Sequence, residues 1–149
     1  MAKKAKAVTR RGKAKTAYEL LERVCEHIAA EPKRYYQGWW VLRSAKRIAA
    51  ADVKLKAPPC NTIACRAGWV VLLHDGRNTR QINAEGYGTM RRALEILGVE
   101  HDDGLFDGNA VSLALTPGTQ RYVREGIRGL RAFMKKYKAH LQARSLKGV

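Results

Sequence analysis

The chain has 149 residues, 46% of them hydrophobic, and a net charge of +16 from 29 Lys and Arg against 13 Asp and Glu. That length supports one core and argues against a multidomain enzyme. No apolar run approaches the roughly 20 residues that cross a bilayer, and the Lys-rich start lacks the apolar stretch of a signal peptide, so a soluble, cytoplasmic protein with no membrane partner is expected.

The charge is unevenly placed. Residues 1–15 carry seven Lys or Arg and no acid, residues 117–149 carry nine against Glu125 alone, and the 101 residues between them are nearly balanced. A near-neutral body with two basic ends points to a polyanionic partner, either nucleic acid or an acidic protein surface. The first segment, with Arg10, Arg11 and Lys13, has little to bury and reads as a disordered basic arm over 1–15.

At Thr16 the pattern changes. "TAYE" is a capping box, with Thr16 capping a backbone N–H and Glu19 reaching back. Ala17, Leu21, Val24 and Ile28 then keep the spacing of one helical face, and Pro32 limits the helix. "KRYYQGWWVLRSAKRIAAAD" groups Tyr35, Tyr36, Trp39 and Trp40 around Gly38, and the spacing of Val41, Ala45 and Ile48 predicts a second helix. The rings read as core, with a stacking platform for single strands, flanked by Lys33, Arg34 and Arg43, as the functional alternative.

A third helix is predicted to open at Asn61 or Thr62 and run to about His74, with Gly76 as its stop. "GRNTRQINAEGYG" is turn-rich. "TMRRALEILGV" is a fourth helix whose Gly98–Val99 ending fits a Schellman motif, and "EHDDGLFDGNAVSLAL" reads as short turns between loops. No internal repeat is visible.

The last helix is predicted from Thr116 as N-cap and Pro117 as first residue. Val123, Ile127, Leu130, Met134, Tyr137 and Leu141 keep 4-3-4-3-4 spacing, one continuous apolar stripe. Arg121, Arg124, Arg128, Arg131, Lys135 and Lys138 run 3-4-3-4-3, and their two-residue offset places them roughly opposite that stripe. Six bases over about 17 residues cover about 26 Å at 1.5 Å per residue. A solvated outer face would tolerate acids, and this one has almost none, so polyanion contact is expected. The whole is a mainly α domain of about five helices over 16–143, followed by a tail over 144–149.

The cysteines offer the alternative chemistry. A Cys65 in the first turn of the third helix would be activated by unpaired N–H groups. His74 lies nine residues on, about 180° round the same helix, and cannot serve as its base. Cys60 and Cys65 form one loose pair of metal ligands with no recognisable second pair, and the carboxylates of Asp102, Asp103 and Asp107 near His101 read equally well as loop caps. No cofactor is expected. Cys65 shares a face with Trp69 and Leu72 beside Gly68, which reads as a buried structural thiol.

"CNTIACRAGWVVLL" followed by "RRALEILGVEHDDGLFDG" resembles a loose group of small phage and prophage proteins that share a Cys-x-Thr-x-x-Cys-x-x-Gly-(Trp or His) helix start. Cys60, Thr62, Cys65, Gly68 and Trp69 match, while "ALEILGV" departs slightly from the group's later "A-x-x-L-L-G-L" helix. The likeness covers about residues 60–107 and brings no activity. It implies the cytoplasm of a bacterial host, where small phage proteins bind nucleic acid or disable host proteins. The expected function is therefore non-enzymatic binding of DNA or RNA by the cationic helix and the arm. A host-directed inhibitor of the anti-CRISPR kind, acting on a protein or ribonucleoprotein, is the second expectation, and a cysteine-dependent hydrolase or transferase the third.

Overall fold

A computed structural model describes residues 12–35, 41–43, 62–75, 86–101, 103–106, 115–116 and 118–149. Among them are five α-helices, α1 (Ala17–Ala30), α2 (Arg66–Asp75), α3 (Gly86–Leu97), α4 (Gln120–Lys136) and α5 (Lys138–Ala143), with a 3-10 turn at Pro32–Arg34. Two three-residue strands, β1 (Val41–Arg43) and β2 (Thr62–Ala64), complete the set. None of the described helices is long and apolar enough to cross a membrane.

α1 begins as its sequence dictates. Thr16 is the N-cap and its hydroxyl accepts the Glu19 N–H at 3.2 Å. The return contact falls one residue early, because the Glu19 carboxylate accepts from the Lys15 N–H at 2.8 Å. That bond is the main reason the Glu19 carboxyl is held below its usual value. The buried face is wider than the four-residue spacing indicated, since Leu20 and Cys25 join Ala17, Leu21, Val24 and Ile28. It packs on α4, α2 and α5.

Val41–Arg43 is a strand and not the start of a second helix. It pairs antiparallel with Thr62–Ala64, Val41 opposite Ala64 and Arg43 opposite Thr62. The pairing holds Thr62 extended and moves the start of α2 to Arg66. The rest of the expected second helix, with Ala45 and Ile48, lies outside the described residues. α2 packs against α3, and the Arg92 guanidinium fastens the pair by donating to both oxygens of Asp75, at 2.8 and 2.7 Å. α3 ends in the predicted Schellman motif. Gly98, at φ +66°, donates to Glu95 O and Val99 donates to Leu94 O, both at 3.1 Å. Arg144 adds a third fastening by donating to Glu95 O at 2.7 Å and Ile96 O at 3.3 Å.

The last helix starts three residues later than expected. Gly118, at φ +83°, takes the chain out of helical geometry after Thr116, and Thr119 is the N-cap, its hydroxyl accepting the Tyr122 N–H. The helix also bends at Tyr137 (φ −108°, ψ 23°), where α4 gives way to α5. Leu141 is buried beyond the bend, so the apolar series survives it.

The boundaries at both ends differ from expectation. Residues 1–11 of the expected arm lie outside the described residues, but the chain is already fastened at Gly12, whose carbonyl accepts from Arg23. Residues 144–149 are part of the domain. Ser145 bridges Thr16, the Leu146 N–H donates to Lys15 O at 2.9 Å, and the Leu146 side chain is buried.

Candidate nucleic-acid interface

α4 is two-sided. Tyr122, Val123, Gly126, Leu130, Phe133 and Met134 are buried on one side, as the 3.6-residue period requires of a helix with an apolar stripe. Arg121, Arg124, Arg128, Arg131 and Lys135 are exposed on the other, and Lys138 is exposed at the start of α5. All six predicted cations therefore face solvent. Arg128 donates to Glu125 at 2.6 Å in an exposed i, i+3 pair. Among the described residues the other five have no acidic partner within ion-pair distance.

Several other described cations are engaged differently. Arg23 pairs with Glu19 at 2.5 Å, Arg92 with Asp75, and Lys136 with Asp103 at 2.7 Å. Asp103 also accepts from the Tyr137 hydroxyl, and these two contacts, Lys136 first, hold its carboxyl below the usual range. Arg144 caps α3. Lys136 thus belongs to a cross-link between the 103–106 turn and α4, although it adjoins Lys135 in sequence.

The close approach of Arg66 to α4 is set by two glycines. Arg66 is 1% exposed and its Nε donates to the Tyr35 hydroxyl at 3.1 Å. The Tyr35 ring lies where a Cβ on Gly126 would sit, and Arg66 Nη1 lies 2.6 Å from where a Cβ on Gly129 would be. Tyr35 also meets Tyr122, with ring centroids 5.4 Å apart. Tyr35 is core and cannot be part of a stacking platform; Tyr36, Trp39 and Trp40 lie outside the described residues. Nothing in the local sequence marks Arg66 as a buried cation, because its partner hydroxyl is 31 residues away.

Between the cations of α4 lies a feature that spacing alone did not reveal. Arg124, Arg128, Arg131 and Lys135, with Ile127 and Ala132, border a shallow, widely open trough on this one helix, whose surface is chiefly apolar. Ile127 belongs to the apolar series, yet it is only half-buried and contributes to this cationic side. A second opening, of about 600 Å³, lies where Lys13, Lys15 and Lys147 meet His74 and Leu146. Lys13 is exposed there, as is Lys15, whereas Arg10 and Arg11 lie outside the described residues.

Cys65 sits immediately before α2 and takes the capping role itself. Its carbonyl accepts the Trp69 N–H at 2.9 Å and its Sγ accepts the Gly68 N–H at 3.4 Å. Burial pushes the thiol up to about 11, against the opposing pull of the Gly68 and Ala67 amides. Desolvation outweighs the helix terminus, and Cys65 is the buried thiol the sequence favours over an activated one. Cys25 is buried as well and is likewise pushed up to about 11 by burial. The His74 ring bonds Asp75 at 2.7 Å, at the far end of α2. Cys60, the other expected metal candidate, lies outside the described residues, and among the described residues no three His, Cys, Asp or Glu are grouped to hold a metal.

Comparison with protein-family models finds no match, and neither does comparison with curated proteins or with solved structures.

Proposed function

We propose that this protein binds nucleic acid without catalysing a reaction, gripping the phosphate backbone with the exposed side of α4 and the first residue of α5, assisted by the basic segment ahead of Gly12. The observation that carries the reading is the division of labour among the cations. Arg121, Arg124, Arg128, Arg131, Lys135 and Lys138 have a single acid between them, while Arg23, Arg92, Lys136 and Arg144 are tied into the fold. A surface selected only for solubility mixes both signs. One that neutralises phosphates gains by releasing counterions, and it does so in proportion to the cations it presents. A role as an accessory protein of a phage or other mobile element rests on the Cys60–Trp69 motif likeness alone.

Salt titration is the direct test. Binding of the wild-type chain to DNA and RNA weakens steeply with ionic strength, and the combined change Arg124→Ala, Arg128→Ala and Arg131→Ala reduces the slope of log K against log salt by about two to three. Unchanged binding in that variant refutes the proposal. Capture from a bacterial lysate with and without nuclease separates it from host-protein inhibition: a partner retained after nuclease treatment belongs to the inhibitor reading.

A further inference from the structure

Resting on that reading, we infer that the preferred ligand is a single strand, DNA or RNA, whose unpaired bases lie against the shallow trough on α4. Cations alone would suit any phosphate backbone, duplex or single. The trough adds something a backbone does not use, because its surface is chiefly apolar although four of its six lining residues are Arg or Lys. Long basic side chains create this combination by holding charged heads outward while their methylene stems lie along the helix. Ile127 and Ala132 extend the apolar surface between those stems.

A duplex presents phosphates outward and keeps the faces of its bases stacked on one another. Its contact with this side of α4 would leave the apolar surface unused. In a single strand each base offers a free face, and contacts of that kind tolerate any sequence. Base faces also pack against guanidinium planes, and Arg124, Arg128 and Arg131 stand beside Ile127 on successive turns. The trough lies along the 12 residues from Arg124 to Lys135, about 16 Å at 1.5 Å per residue. That length follows a strand lying along α4 and does not require a groove for α4 to enter. The six cations then contact phosphates at the rim, with bases turned inward.

The wild-type chain itself provides the decisive comparison. Its affinity is measured at fixed ionic strength for an oligothymidylate, an oligouridylate, a duplex of equal length, and an abasic strand carrying the same number of phosphates. Binding of both base-bearing single strands about tenfold tighter than duplex and abasic strand is the expected result. Preference for only one of the two assigns the site to DNA or to RNA within the same proposal. Equal affinity for the abasic strand or the duplex overturns the inference while leaving phosphate binding intact. Failure to bind any of the four overturns the function proposed above as well. Ile127→Ala gives a second readout, an affinity for the single strand lowered about fivefold with an unchanged salt slope, since no phosphate contact is lost. An unchanged affinity in that variant contradicts the inference.

Discussion

At the scale of single residues, Cys65 shows how burial decides the chemistry of a side chain. Its sulfur receives an amide N–H at the start of a helix, an arrangement that in a wetter site favours the thiolate. Here Cys65 is 1% exposed beside Trp69, itself packed on His27 with ring centroids 4.1 Å apart. Desolvation dominates and the thiol stays protonated. Alkylation of native Cys65 at neutral pH is therefore expected to be slow, limited by opening of the fold. The same displacement has a consequence for stability. In the unfolded chain both buried thiols ionise near pH 8.5, whereas in the folded chain they hold their protons to about 11. Their contribution is fully present below about pH 8.5 and is lost as pH rises toward 11, because the unfolded state then binds fewer protons than the native one. Unfolding free energy measured against pH should fall across that window, and less steeply in Cys65→Ala.

At the scale of elements, α4 carries two interfaces with opposite demands, and its glycines meet the stricter one. Gly126 and Gly129 let the Tyr35 ring and the Arg66 guanidinium lie against the helix backbone. Gly126→Ala gains intrinsic helix propensity, about 1 kcal/mol, but the new methyl overlaps a ring held in place by Tyr122 and Arg66. Overpacking of that kind costs about 1–3 kcal/mol, so a net loss in chemical denaturation is expected. A gain would mean that Tyr35 can move aside. Both stripes of α4 were legible in the sequence because periodicity is a local property. The β1–β2 ribbon was not, since Val41–Arg43 finds its partner some twenty residues on, and no window of sequence contains both. The late start of α2 follows from the same cause. Asn61 and Thr62 have good capping chemistry, but strand pairing commits Thr62, and a cysteine that no capping preference favours inherits the role. In the candidate site the cations were legible from spacing. Arg66 and Ile127 were not: one meets a hydroxyl 31 residues away, and the other is only half-buried although it keeps the spacing of the apolar stripe.

At the scale of the whole molecule, the last six residues close the structure. Arg144 caps α3, Ser145 bridges Thr16 and Leu146 completes the core beside the start of α1. Nothing in "RSLKGV" announces this, because each contact lies 48 or more residues away in sequence. Removal of residues 144–149 should lower the melting temperature distinctly, since burial of Leu146 alone is worth about 1.5–3 kcal/mol and the α3 carbonyls lose their guanidinium. An unchanged melting temperature would show that these contacts contribute nothing.

The Thr16–Ser145 bridge also brings basic residues together. Lys13 and Lys15, more than a hundred residues from Lys147 in sequence, gather with it at one end of the described fold. α1 runs back along α4, with Lys33 beside Gly118 at the opposite end, so the row of cations on α4 leads toward that same pole. On the function proposed above, the cations gathered there add to the field that draws in a polyanion.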